Sequence, residues 1–226
     1  MNIDKVSVKK NIELLCFIFV YIILFSNAII THDNPIALIS AFCGISYTIL
    51  AGKGIPSCYL IGVTGSALYA YLAFQSALWG NLVLYAGYYV PMQILGFFKW
   101  NKNLKENKKE IIKISLTKKE SIILYLLTLI ISFIAIFILF KLGDTSPFID
   151  GITTIFSLLG MYLTVRRCLQ QWVVWMIVNG LSLIMWIKVV INGTTAYSTV
   201  IMWLVYFLLA IYFYFVWKKE IKNQTN

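Results

Sequence analysis

The sequence predicts an all-α polytopic membrane protein of eight transmembrane helices, in which one N-terminal helix precedes a 3+1+3 core of two parallel three-helix repeats. Three observations predict it. Of the 226 residues, 60% are apolar or aromatic and only 12% are charged, whereas a soluble chain is about half apolar and about one quarter charged. Mean hydropathy is +0.82. The apolar residues lie in continuous uncharged runs, and a helical crossing of a bilayer core takes roughly 20 of them; a β-barrel would instead read as short alternating segments.

The runs fall at 14–31, 36–51, 57–77, 80–98, 121–140, 148–165, 170–187 and 196–217. The first follows a basic stretch and lacks a small-x-small cleavage site, so it is expected to persist as an extra N-terminal helix, 14–31. Residues 36–98 then hold a first three-helix bundle, 121–140 a linker helix dominated by Ile, Leu and Phe, and 148–217 a second bundle. All of 1–226 reads as a single membrane domain. Turn residues separate the runs, at His32-Asp33-Asn34-Pro35, Gly52-Lys53-Gly54-Ile55-Pro56, Gly143-Asp144-Thr145-Ser146-Pro147 and Asn192-Gly193-Thr194-Thr195. Pro35, Pro56 and Pro147 each stand where a helix begins, a position that tolerates the missing N–H.

With eight crossings both termini share one side. That side holds Lys5, Lys9, Lys10, Lys53, the eight lysines between Lys99 and Lys119, Arg166, Arg167, Lys218, Lys219 and Lys222, which is 17 of the 19 basic residues. Only Lys141 and Lys188 fall opposite, beside Asp33, Asp144 and Asp150. The positive-inside rule therefore puts both termini and the 99–119 loop in the cytoplasm. The net charge of +10 is a topology signal that meets anionic headgroups of the lipid bilayer, and no nucleic acid partner is expected.

Sliding 36–102 against 148–219 at a shift of 115 sets Tyr47 on Tyr162, Gly65 on Gly180 and Tyr71 on Trp186. After a two-residue insertion, Phe98-Lys99-Trp100 falls on Phe215-Val216-Trp217. A four-crossing offset gives both halves one orientation, so the repeats are parallel, and transporters so built hold substrate near the midplane between repeats.

Asp, Glu, Arg and His are absent from the interior of every run, and Asp150 and Lys188 lie at helix ends. Carboxylate proton relays and charged pores need such groups, and so do general acid–base pairs, so no enzyme is expected. Cys16, Cys43, Cys58 and Cys168 lack metal-ligand spacing and read as small buried hydrophobes, while His32 reads as a solvated loop residue. No cofactor and no metal are expected.

Neutral polar and aromatic groups remain. In the seventh run Trp172, Trp175 and Asn179 form one helical stripe. One reading makes them a binding face; the other makes the tryptophans an interfacial belt and Asn179 interhelical glue. In the fourth run Asn81, Tyr85, Tyr89 and Gln93 share a broad arc, and Pro91 is expected to bend the helix. At about 1.5 Å per residue, Gln93 and Trp175 come to one depth on the cytoplasmic side of centre.

These stretches carry a resemblance. Trp79-Gly80-Asn81 through Tyr89-Val90-Pro91-Met92-Gln93 to Gly96-Phe97-Phe98-Lys99-Trp100 resembles the fourth-helix motif of the PnuC nicotinamide riboside transporters. Gln171-Trp172-Val173-Val174-Trp175 with Asn179 resembles that family's Trp-x-x-Trp segment. The resemblance implies a SWEET-like fold in the bacterial inner membrane and a homotrimer. It further implies uptake of nicotinamide riboside by facilitated diffusion, with a cytoplasmic ribosylnicotinamide kinase trapping the product. It assigns substrate binding to Trp172, Trp175, Asn179, Asn81 and Gln93, with Tyr85 and Tyr89 on the same arc. Many members carry Asp where this chain has Asn179, and relatives are known for thiamine and riboflavin, which leaves those two substrates open. Aromatic faces without acids suit a flat pyridinium cation, and the lack of intramembrane cations suits an unphosphorylated substrate.

Overall fold

The computed structural model describes residues 3–31, 35–75, 82–106, 109–143, 146–192 and 197–224, which fold into eight helices. α1 spans Ile3–Thr31, α2 Pro35–Lys53 and α3 Cys58–Gln75. α4 joins a π-helical stretch, Val83–Tyr89, to the α-helix Val90–Asn101. α5 spans Lys118–Lys141, α6 Pro147–Val165, α7 Gln170–Ile191 and α8 Tyr197–Gln224. Every apolar run is matched by a helix. Five of them (α2, α5, α6, α7 and α8) are long and apolar enough to cross a membrane, and α1 and α3 carry shorter apolar stretches, Phe17–Ile30 and Cys58–Leu72.

Local chemistry sets the helix starts. Pro35 and Pro147 are the first residues of α2 and α6, where the lost N–H is one that no intrahelical carbonyl could have used. α5 opens on a capping box: the Thr117 hydroxyl accepts the Glu120 N–H at 3.2 Å, and the Glu120 carboxylate accepts the Thr117 N–H at 2.9 Å. Those two bonds satisfy end donors on both residues and extend the helix back to Lys118.

At Pro91 the expected bend takes a specific form. The turns before it are π-wound, and the Val90 N–H bonds the Tyr85 carbonyl, five residues back. A proline ring clashes with the carbonyl four residues behind it and supplies no donor. Widening the preceding turns removes that conflict, and π-wound segments often stand at functional sites.

α2 packs on α3, and α3 on α4; α6 packs on α7, and α7 on α8. The two triads meet where α4 lies on α6 and α8 lies on α2. α5 packs on α6, with Gly151 of α6 set against the Ile136 backbone of α5. α5 otherwise shows Leu126, Ile130, Phe133, Phe137 and Phe140 outward. α1 lies across α8 and α2.

Hydrogen bonds relate the triads in a register different from the aromatic slide. After α2, Gly54 N–H bonds Ala51 O and Ile55 N–H bonds Leu50 O; after α6, Arg167 N–H bonds Thr164 O and Cys168 N–H bonds Leu163 O. Cys58→Ile55 and Tyr59→Pro56 then match Gln171→Cys168 and Trp172→Leu169. All of these pairs are 113 residues apart. Gly54 and Arg167 both have positive φ, +75° and 62°, the left-handed step that closes a helix end. The shift of 115 equated residues of like type in unlike surroundings. Gly65 lies against Cys43 of α2, whereas Gly180 lies against Phe207 of α8.

The 99–119 segment is more than a charged loop. Lys105 N–H bonds Glu110 O, and Ile112 N–H bonds Asn103 O, closing a small ribbon. Ile111 N–H then bonds Gly54 O of one triad, and Ile114 N–H bonds Arg167 O of the other. This strap buries Lys113, whose ammonium meets Glu220 of α8 at 2.7 Å and lies 5.0 Å from the centre of the Trp217 ring. Burial pushes the Lys113 ammonium below the ordinary lysine value, against the opposing pull of Glu220. Of the cysteines, Cys58 and Cys168 are buried and Cys43 is only half-buried; the Cys16 side chain, His32 and Asp144 lie outside the described residues.

Candidate functional site

Gln93 is buried on α4, just past the π-to-α change. Its Nε2 donates to Ser66 Oγ of α3 at 3.1 Å, and its Oε1 is buried without a protein partner. Beside it is Gly62 of α3, where a Cβ would come 3.1 Å from Gln93 Cδ and 2.7 Å from the Tyr47 ring of α2. Glycine at 62 thus lets Tyr47 and Gln93 share one crossing. The Tyr47 hydroxyl reaches the other triad, 3.9 Å from Met161 Sδ of α6.

Tyr85 and Tyr89 occupy the π-wound part of α4, with ring centres 4.9 Å apart at 79°. Tyr85 also faces Tyr69 of α3 at 4.2 Å, and the buried Tyr89 meets the Ser157 side chain of α6. Between them Tyr88 donates to the Leu158 carbonyl of α6 at 2.8 Å. The arc drawn from sequence therefore faces both α3 and α6. Asn81, the remaining member, lies outside the described residues, as do Trp79 and Gly80.

On α7, Trp175 is half-buried over Gly160 of α6, where a Cβ would stand 3.0 Å from Cε2 and Cζ2 of the indole. Its Nε1 donates to Thr164 Oγ1 at 3.2 Å. Asn179 is buried one turn further on. Trp172 is 2% exposed and packs on Phe213 at 5.3 Å and edge-to-face on Trp217 at 5.7 Å; its indole Nε1 has no protein partner. Trp172 thus faces α8, while Trp175 faces α6. Gln93 bonds α3 and Trp175 bonds α6, while the Tyr47–Met161 approach joins α2 to α6.

The register of 113 relates these positions across the two triads. Gly62, beside Gln93, corresponds to Trp175, and Tyr47 corresponds to Gly160. Each triad has one aromatic ring and one glycine at that crossing, with the ring on the first helix in one triad and on the second in the other. Tyr47, Ser66, Gly62, Gly160 and Thr164 were not singled out from sequence as site residues; the register of 113 pairs Gly62 with Trp175 and Ser66 with Asn179, and no sequence signal marks Thr164. Among the described residues no three His, Cys, Asp or Glu side chains converge. The groups gathered here offer aromatic faces, amides and hydroxyls, the means to orient a flat polar molecule.

Comparison with known proteins agrees in family. The family described as nicotinamide mononucleotide transporter matches residues 34–219. A nicotinamide riboside transporter PnuC of Neisseria mucosa is 29% identical over 218 residues, covering 94% of this chain and 82% of that one. The PnuC of Haemophilus influenzae is 31% identical over 200 residues, 87% of this chain and 84% of that one. The crystal structure of the vitamin B3 transporter PnuC superposes with a TM-score of 0.80 at 27% identity, covering 94% of this chain and 92% of that chain. With tandem apolar helices, the fourth-helix and Trp-x-x-Trp motifs and these matches together, the chain belongs to the PnuC-type transporter family, a family of multi-pass membrane proteins.

Proposed function

We propose that this protein carries nicotinamide riboside across the bacterial inner membrane by facilitated diffusion, and that a cytoplasmic ribosylnicotinamide kinase then traps it. The family's description names the mononucleotide, whereas the similar proteins are named for the riboside. One observation favours the riboside: among the described residues the buried cation is Lys113, and it is already paired with Glu220 on the strap. A phosphate taken into the interior would need charged hydrogen-bond donors, whereas a riboside's hydroxyls and amide need neutral ones. Gln93 Oε1 and Trp172 Nε1, buried and unpartnered, supply an acceptor and a donor, and a buried polar atom without a partner is costly unless a ligand satisfies it.

In this reading Trp175 and Trp172 give stacking faces, Gln93, Asn179 and Asn81 give polar contacts, and Tyr85 and Tyr89 close the wall. The arrangement is 3+1+3, α2–α4 and α6–α8 being parallel repeats with α5 as linker and α1 as the additional helix. The lysine census supports cytoplasmic termini, and a homotrimer is carried over from the family resemblance. The absence of intramembrane carboxylates in the sequence supports uncoupled movement.

Purified protein in liposomes decides it. Labelled nicotinamide riboside should equilibrate without any ion gradient, and excess thiamine, riboflavin or nicotinamide mononucleotide should not compete. Accumulation above the outside concentration that an ionophore abolishes would refute uncoupled transport. Equal competition by the mononucleotide would refute the substrate.

A further inference from the structure

The two triads are bolted together twice at the end where α4 and α8 finish, and the bolts are reciprocal. Trp100, near the end of α4, donates its indole N–H to the Thr164 carbonyl at the end of α6, 3.0 Å away. Trp217, near the end of α8, donates to the Gly52 carbonyl at the end of α2, 2.6 Å away. Each bond crosses from one triad to the other and ends on a carbonyl of a last helical turn; the Thr164 carbonyl also accepts the Arg167 N–H. The two rings meet at 6.5 Å on the line between the triads. Tyr59 lies edge-on to Trp100 at 4.9 Å, and Trp172 lies against Trp217. All four aromatic side chains, with Phe213, are 2% exposed or less. These rings therefore fill the seam between the two triads at this end.

The bolts are wired to α7. Thr164 accepts Trp100 on its carbonyl and Trp175 on its hydroxyl. Gly52 accepts Trp217 while Phe213, stacked on Trp172, fills the space above its Cα. Each tryptophan of the Trp-x-x-Trp pair thus touches one bolt. The strap lies over both, joined to Gly54 and Arg167 and, through Lys113, to Glu220 and the Trp217 ring.

We propose that Trp100 and Trp217 are a paired latch that closes this end of the protein and opens in each transport cycle, with Thr164 as the positioning residue that links it to the substrate-facing Trp175. This rests on the transport reading above, and the test separates the two. Cysteines replace the exposed Lys102 and Lys219, at the ends of α4 and α8, and carry spin labels. In the parent protein the labels should be strongly coupled, and Trp100→Phe or Trp217→Phe, which keep a ring but lose the N–H, should weaken the coupling. Nicotinamide riboside, at concentrations that saturate each protein by titration, should change the coupling in the parent and not in Thr164→Val. Bridging the two cysteines with a short reducible cross-linker should reduce exchange of nicotinamide riboside to that of empty vesicles, and reduction should restore it. This arm retains both tryptophans, so it does not depend on the variants folding. Exchange at the parent rate with the bridge intact, or unchanged coupling in the folded Phe variants, would overturn the latch. Failure of the unbridged protein to exchange the riboside at all would instead overturn the transport reading, and the label coupling alone would then decide the latch.

Discussion

Replacing Gly160 by alanine tests the site at the point where structure and affinity meet most directly. The new Cβ would stand 3.0 Å from two carbons of the Trp175 indole and 3.3 Å from a third. Carbon atoms rest at about 3.5–4.0 Å, so the ring must retreat by about 0.5 Å. Retreat from Gly160 is also retreat from Thr164, one turn along the same helix. The indole N–H to hydroxyl distance, now 3.2 Å, would pass beyond hydrogen-bond length, at a cost of about 1 kcal/mol. Alanine repays about 1 kcal/mol through helix propensity, so the fold should lose little. Binding should not be spared, because the aromatic face itself has moved. A face of this kind contributes about 0.5–2 kcal/mol to a cation, which corresponds to a roughly 2- to 30-fold rise in Kd for nicotinamide riboside. The assay is titration calorimetry on the purified protein, with its melting temperature as control. Trp175→Phe supplies the decisive comparison: a smaller ring relieves the clash, so Gly160→Ala added to it should cost no further affinity. An unchanged Kd in Gly160→Ala, or fully additive losses in the pair, would refute the placement of Trp175 at the site.

Gly62→Ala should weaken binding more, since its Cβ would come within 2.7 Å of the Tyr47 ring while also crowding Gln93 at 3.1 Å; a loss smaller than that of Gly160→Ala, measured the same way, would contradict it. Gln93→Ala and Trp175→Ala should each cost about 1–3 kcal/mol of binding, and the double variant should depart from their sum if both touch one ligand; strict additivity would separate them. A cysteine at Asn192 should react with an impermeant thiol reagent from outside the cell and one at Lys109 should not, and the opposite pattern would overturn the lysine census. Thr117→Ala should speed amide exchange at the start of α5 about fivefold at neutral pH, as loss of a cap of about 1 kcal/mol implies. Bonds from the Thr117 backbone and hydroxyl hold the Glu120 carboxyl below its ordinary value, so its contribution is present above the normal carboxylate range and is lost as pH falls through the lowered value. The difference between variant and parent should therefore narrow in acid without vanishing, because the Thr117 hydroxyl still accepts the Glu120 N–H there; a difference that does not narrow would refute the carboxylate's part in the box.

The helices were legible because a bilayer demands continuous apolar runs and because proline announces where α2 and α6 begin. What was not legible depended on geometry that residue type does not encode. The change from π to α winding at Pro91 follows from a conflict that could equally have produced a plain kink. The strap reads as eight lysines in a loop, and nothing in that run declares that Lys113 is buried against Trp217. The structure bonds Trp175 to Thr164 and Gln93 to Ser66, and of these Trp175 and Gln93 were legible as aromatic and polar groups. Thr164 was not, since a threonine near a helix end has many ordinary uses. The internal match was legible in kind but not in register. Aligning Gly65 with Gly180 by identity hid the correspondence of Tyr47 with Gly160, because related positions here carry opposite residues.

That opposition bears on how two similar triads can form a single oriented site. If both triads had kept the same residues at the crossing, they would present two like faces, and a ligand between them could lie in either direction. Instead the ring comes from α2 in one triad, as Tyr47, and from α7 in the other, as Trp175, with Gly62 and Gly160 opposite. The glycines are needed at those places because either Cβ would collide with the ring it faces. Gln93 stands beside Gly62, and the residue seven before Trp217, as Gln93 stands seven before Trp100, is Ala210 and not a second amide. One triad therefore supplies a buried amide with an unpartnered oxygen and the other supplies an indole face. In the proposed transport, a molecule with a flat cationic ring at one end and polar groups at the other would be distinguished from its reverse by that difference. The polar side chains that would orient it are neutral, so the charge that crosses the membrane with it is the ligand's own.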